Sequence, residues 1–246
     1  MGSKLERDVR FLKAYAFAAT VACAALVLSA FTWQGRRQRF AEIDVERVNV
    51  VEKDGSLRLV ISNKGRSPAP AQRGKPFGYE GGTRAGLIFY NDEGTENGGL
   101  IFGGRRGEGG KVEASGSLTF DQYEQDQTIA LQYYDSDGRR RSGLAITDYP
   151  TDMSSMEFDE KWKALNRMPD GAAKEEERRR LRRYAPKLRM YAGRGRDGNS
   201  LVQLSDAEGR TRLRLVVDAA GGARIEFLDE AGKVTQTLPA PAAERR

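Results

Sequence analysis

The chain has 246 residues, 41 Lys and Arg against 35 Asp and Glu, a net charge of +6, one cysteine and no histidine. Without histidine there is no Ser-His-Asp or Cys-His relay, no imidazole base and no His-ligated metal. A single cysteine excludes an intrachain disulfide framework and any Cys-cluster zinc or iron–sulfur site.

A hydrophobic fraction of 39% and a charged fraction of 31% suit a folded chain. Acidic residues are scattered through the basic stretches, so the single-sign stripe that a nucleic-acid footprint requires is missing. No nucleic-acid partner is expected.

The first segment reads as a membrane anchor. Residues 14–35 carry no charge, and Lys13 and Arg36 bracket them. About 20 apolar residues cross a bilayer's hydrocarbon core. Trp33 falls where an interfacial aromatic belongs, and Arg36, Arg37 and Arg39 form a charged stop. The run is longer than the ~7–15 apolar residues of a cleaved signal core. A cut after Ala30 would place bulky Leu28 at the −3 position, and Thr20 stands where a lipobox ahead of Cys23 would have Leu. The expectation is a cytoplasmic tail at 1–13, a single-pass transmembrane helix at 14–35 of the signal-anchor kind, and a tether at 36–40. The lipid bilayer is the partner of 14–35. Lys and Arg counts on the two sides are close, but a short basic N-terminus before a long domain favours a periplasmic or extracellular domain.

From Ala41 onward one turn formula repeats: an acid or Asn, two residues, then Gly, between apolar runs. It occurs at 52–55, 91–94, 135–138, 206–209, 218–221 and 229–232. Asp or Asn at the first turn position bonds the backbone ahead, and Gly at the fourth accepts positive φ without a steric cost. The flanking runs alternate as strands do. Leu57, Leu59 and Ile61 share a face, as do Leu213, Leu215 and Val217, and Ile225 with Phe227. Residues 86–90 and 99–102 are apolar on both faces and read as central, fully covered strands. The pattern predicts a mainly β domain at 41–239. It is an antiparallel hairpin array, folded as a sandwich or a partly closed barrel that buries the alternating apolar faces.

A helical pair interrupts the array at 155–185. Phe158, Trp162 and Leu165 recur at helical spacing, and Met168-Pro169-Asp170-Gly171 ends the first helix. In the second, Glu175 and Glu176 precede Arg179 and Arg180 by four residues, the favourable order for helical ion pairs. Residues 240–246 form a loose, disordered tail.

Several formal motifs fail. Gly193 to Gly198 matches GxGxxG, but a strand pattern follows where a dinucleotide site needs a helix. Gly110-Lys111 would end a P-loop, yet Arg105 stands at its opening glycine and Val112 replaces the Ser or Thr. The glycines of 103–110 then read as a mobile loop, in which Arg105 and Arg106 could hold an anion. The binding candidates are Asn91, Asp92, Glu93, Glu96, Asn97, Arg105 and Arg106. Asn91–Asn97 is dense in side-chain oxygen but lacks EF-hand spacing, so no metal is assigned. Asp92 and Glu96 are alternatively an acid–base pair for a glycoside, if folded about 5–10 Å apart. No cofactor is expected.

Residues 43–65, 91–104 and 198–234 together resemble a group of uncharacterised bacterial single-span membrane proteins with β-hairpin repeats. The likeness covers roughly 41–104 and 188–238. It implies a bacterial, membrane-anchored protein, and no activity assigned to that group carries residues over. The sequence therefore points to a non-catalytic, membrane-anchored extracytoplasmic module that binds or scaffolds an envelope protein or glycan. The alternatives are an envelope glycan hydrolase built on Asp92 and Glu96, and a β-barrel carrier that holds an apolar ligand in an interior cavity. Oligomeric state and ligand are not encoded legibly.

Overall fold

A computed structural model of the chain describes residues 2–33 and 38–239. The chain divides into two units, Met1–Asp44 and Val45–Arg246. The expected end of the span at Gln34 and Gly35, the stop residues Arg36 and Arg37, the Trp33 side chain and the tail 240–246 lie outside the described residues.

The first unit is one long helix, α1 (Gly2–Trp33), which also takes in the segment expected as a tail. Lys4–Leu28 within it is long and apolar enough to cross a membrane, by length and composition: its 18-residue apolar window has a mean hydropathy of 1.9, and none of that window is buried.

The second unit is built on one sheet of twelve strands. In chain order they are β1 (Arg47–Val51), β2 (Leu57–Ser62), β5 (Ala85–Tyr90), β6 (Glu96–Arg106), β7 (Val112–Asp121), β8 (Gln127–Ser136) and β9 (Arg139–Asp148). After two helices follow β10 (Lys187–Arg194), β11 (Ser200–Ser205), β12 (Thr211–Val217), β13 (Ala223–Leu228) and β14 (Val234–Leu238). Between β2 and β5, the short strands β3 (Ala71–Gln72) and β4 (Lys75–Pro76) make a separate two-stranded sheet.

Each long strand pairs antiparallel with the next, and β1 does not pair with β14. The expected sandwich therefore does not form, and no barrel closes. The cause is local. Most connections are turns too short for the chain to leave one sheet and enter another, so the sheet can only grow sideways. The turn formula itself holds. Backbone bonds close from Gly55 N–H to Glu52 O, Gly94 to Asn91, Gly209 to Asp206, Gly221 to Asp218 and Gly232 to Asp229. Those five glycines all have φ between 73° and 88°. At the sixth turn, Asp135 Oδ1 takes the Gly138 N–H instead, at 2.8 Å. The GxGxxG glycines make another hairpin turn, Gly198 N–H to Gly195 O at 3.2 Å between β10 and β11. The glycine run at 103–110 is not a loop throughout. Gly103 and Gly104 belong to β6, and only 107–110 turns into β7.

The helices α2 (Ser155–Arg167) and α3 (Ala172–Arg182) lie between β9 and β10. Ser154 and Glu157 form a reciprocal capping box at the start of α2. Phe158 and Trp162 stack at 5.9 Å, and Leu165 is fully buried. On α3 the ion pairs close at i,i+3: Arg178 with Glu175, Arg179 with Glu176 and Arg180 with Glu177. The expected i,i+4 partners are not used, because three consecutive acids followed by three arginines fit the shorter spacing equally well.

The core sits on one side of the sheet. Val60, Ile88 and Tyr90 are buried together, with Ala71 of the β3–β4 hairpin packed against them. The hairpin is tied down by Gly74 N–H to Gly94 O and Arg73 N–H to Thr95 Oγ1, both at 3.0 Å. The α2 end joins it through Met156 N–H to Gln72 Oε1 at 3.3 Å and Lys163 Nζ to Gly78 O at 3.2 Å. Strand β5 shows the asymmetry. Gly86, Ile88 and Tyr90 are buried, whereas Leu87 and Phe89 on its other face are only half-buried. This strand was expected to be covered on both sides and is roofed on one.

Candidate functional site

Cross-strand partners in an antiparallel sheet lie on the same face. Following the register across the sheet gives one row with a residue from every strand. It starts Val48, Ile61, Leu87, Leu100, Leu118 and Leu131. It continues Leu144, Ala192, Val202, Leu215, Ile225 and Leu238. All twelve residues are apolar. A second row on that face begins Val50, Leu59 and Phe89, and runs through Phe120, Ile129 and Ile146 to Met190, Leu204, Leu213 and Phe227. Between Phe89 and Phe120 the register places Gly98, and the two rings stack over it at 6.3 Å. The missing side chain leaves the gap that the rings close.

Among the described residues of the second unit, none covers this face. Leu131 is 56% exposed, Leu215 42%, Ile129 42% and Leu118 36%. These are the residues whose alternation the sequence assigns to a core. In the C-terminal strands the polar face carries the buried groups: Glu226 is held between Arg214 at 2.6 Å and Arg224 at 2.7 Å.

The bare face is concave. Residues from β6 to β14 line a single hollow of about 1250 Å³, so the sheet bends around it. Depth comes from small side chains in a third row, among them Gly116, Ser142, Ser200 and Ala223. The lining contains no Asp, Glu or Lys. Its two arginines differ. Arg224 carries its side chain on the opposite face, where it pairs with Asp218 at 3.2 Å and Glu226 at 2.7 Å. Arg194 bonds only the carbonyls of Arg140 at 2.7 Å and Gly195 at 3.3 Å, with no carboxylate partner among the described residues.

The sequence-chosen candidates lie elsewhere and do not form one site. Asn91 Oδ1 accepts the backbone N–H groups of Glu93 and Thr95, both at 3.0 Å, and so shapes its own turn. Asp92 is exposed and pairs with Arg58, and Glu93 accepts the Tyr123 hydroxyl at 2.6 Å. Arg105 pairs with Glu113 at 3.0 Å, and Arg106 bonds Gly110 O at 3.0 Å within the turn. No hydrogen bond or ion pair fixes the Asn97 side chain among the described residues.

Arg105 lines an open hollow of about 730 Å³ together with Arg84, Glu113 and Asp135, and Glu96 enters a separate pocket of about 280 Å³, with Arg84, Asp121, Asp126 and Tyr79 in its wall. Arg84 Nη2 reaches both Glu96 oxygens, at 3.1 and 3.3 Å. Burial nevertheless pushes the Glu96 carboxyl up, against the pull of Arg84. Asp121 is pushed to about 8 by burial, reinforced by Asp126 and Glu96. Its Oδ1 is buried with no hydrogen-bond partner, as is Arg84 Nε. A chemically poised carboxyl group thus sits 25 residues along the chain from Glu96, invisible to local spacing. Among the described residues, no group of three acids or thiols converges to hold a metal.

The chain matches no known protein family and no curated protein sequence.

Proposed function

We propose that this protein is a membrane-anchored, non-catalytic β module whose open apolar face is its binding surface. One observation carries the reading: the unbroken row of twelve apolar residues, one per strand, standing on an uncovered face. Monomeric soluble proteins rarely expose contiguous apolar patches beyond a few hundred Å²; larger ones mark a binding or membrane-contact surface. The apolar helix supplies the anchor, and the signal-anchor arrangement puts the sheet outside the cytoplasm. The experiment is a fluorophore sensitive to its surroundings, attached at Leu131→Cys in a Cys23→Ser background. In native membranes its emission shifts to that of an apolar environment. Emission typical of water would sink the reading. Orientation is tested separately, with a periplasm-active or cytoplasm-active reporter fused after Arg246. Activity of the cytoplasmic reporter alone would reverse it.

A second reading, hydrolysis of an envelope glycan, is supported by the pocket that unites Glu96 with Asp121. It moves the acid role from exposed Asp92 to Asp121, the carboxyl kept protonated near neutral pH. Release of reducing ends from cell-wall glycan, abolished by Glu96→Gln, would establish it. No release by the folded wild-type chain would remove it.

A further inference from the structure

We propose that the concave apolar hollow takes the acyl chains of an anionic membrane lipid, with Arg194 at its polar end meeting the headgroup. This rests on the binding-module reading and names its occupant.

Three observations select a lipid. The first is shape. A second copy of the chain would present an equally concave face, and two such faces enclose a void; sheets that pair stably interdigitate at about 10 Å separation. A flexible amphiphile fills a hollow that a rigid sheet cannot. The second is capacity and chemistry. About 1250 Å³ exceeds the ~300–1,000 Å³ of ordinary small-molecule pockets. A lining without Asp, Glu or Lys offers a polar ligand few partners, while burying each methylene gains about 0.8 kcal/mol.

The third is charge complementarity at one end. The row carrying Arg194 is the third from the Phe89–Phe120 side, and it holds Ser142 and Ser200 as direct neighbours of Arg194. A guanidinium held by two carbonyls keeps its full positive charge and spare N–H donors. Phosphate oxygens are the matching group.

The test uses the full chain in phosphatidylcholine vesicles doped with phosphatidylglycerol bearing a photoactivatable group in its acyl chain. After irradiation, adducts are mapped by peptide mass spectrometry. Adducts are expected on the sheet, at Leu118, Leu131 or Leu215, besides those on α1. Leu131→Asp should remove most sheet adducts and leave the α1 adducts unchanged. Arg194→Gln should lower sheet labelling several-fold for the phosphatidylglycerol probe and little for the matching phosphatidylcholine probe. Equal labelling by the two probes in the wild type overturns the anionic-lipid assignment. Adducts confined to α1 overturn lipid binding altogether. In that case a disulfide between copies of Leu131→Cys/Cys23→Ser would make a second copy the occupant and leave the binding module standing. No disulfide, with a water-exposed fluorophore at the same position, would sink both.

Discussion

Leu118 on β7 and Leu131 on β8 stand directly opposite each other, and both side chains face open space instead of a core. Cross-strand aliphatic pairs of this kind ordinarily hold a sheet against its covering layer. Here the described residues place no layer on that side. The buried cluster of Val60, Ile88 and Tyr90 lies on the other face, against Ala71 of the β3–β4 hairpin, and this division separates substitutions that damage the fold from those that damage function.

Ile88 is 3% exposed, and its truncation to Ala should cost about 2–5 kcal/mol. Leu131→Asp changes an exposed position and should alter stability by no more than about 0.5 kcal/mol. Urea titration of both variants checks the contrast. Equal losses would mean that the apolar face is covered in the isolated chain.

Asp121 gives the fold a pH dependence of known sign. Its native carboxyl titrates at about 8 against an ordinary 3.8, so between those values the native state holds a proton that the unfolded chain has released. Stability from this group is complete at low pH and lost as pH rises through about 8. Asp121→Asn should be near neutral at pH 4 and stabilising by a few kcal/mol at pH 8, because the amide has no proton to lose and so no buried charge to desolvate. Thermal melts at both values decide it. A gain at pH 4 equal to that at pH 8 would refute the raised value.

Arg84 is the only cation joined to half-buried Glu96 among the described residues. Arg84→Met leaves that carboxylate without its partner and should cost about 1–3 kcal/mol near neutral pH, less than breaking a fully buried pair. The loss should shrink in acid, where Glu96 protonates. Asp92→Asn, at an exposed end of another pair, should leave the melting temperature unchanged.

Gly143 and Gly193 are cross-strand partners with Tyr191 folded over them. A Cβ on Gly143 would fall 2.4 Å from Ala192 O and 2.9 Å from the Tyr191 ring. Gly143→Ala should destabilise by at least about 1–3 kcal/mol and speed amide exchange along β9 and β10. Gly103→Ala meets nothing within 4 Å and should be silent. Identical exchange in the two variants would contradict the close approach.

The candidate site was legible in pieces. The sequence pairs Asp92 with Glu96 by proximity along the chain, but the register shift between Phe89 and Tyr90 accompanies a change of surroundings. Asp92 stays with Arg58 on the surface, and Glu96 meets Asp121 and Asp126 from the β7–β8 hairpin. No periodicity of β6 announces that meeting, because it depends on how β7 docks. Arg105 and Arg106 looked available to an anion, and Glu113 and Gly110 occupy them through pairing of β6 with β7.

What the sequence determined by itself was local. Turn acids and glycines with positive φ set the hairpins, period-two alternation set which side chains share a face, and unbroken apolar length marked α1. Each follows from interactions within a few residues. Only the tertiary structure decided that twelve strands stay in one sheet, that its apolar face is left bare and concave, and that Glu96 joins Asp121 in a pocket. Alternation states that Leu118 and Leu131 point the same way. What lies opposite them depends on contacts between distant parts of the chain, which no short pattern encodes.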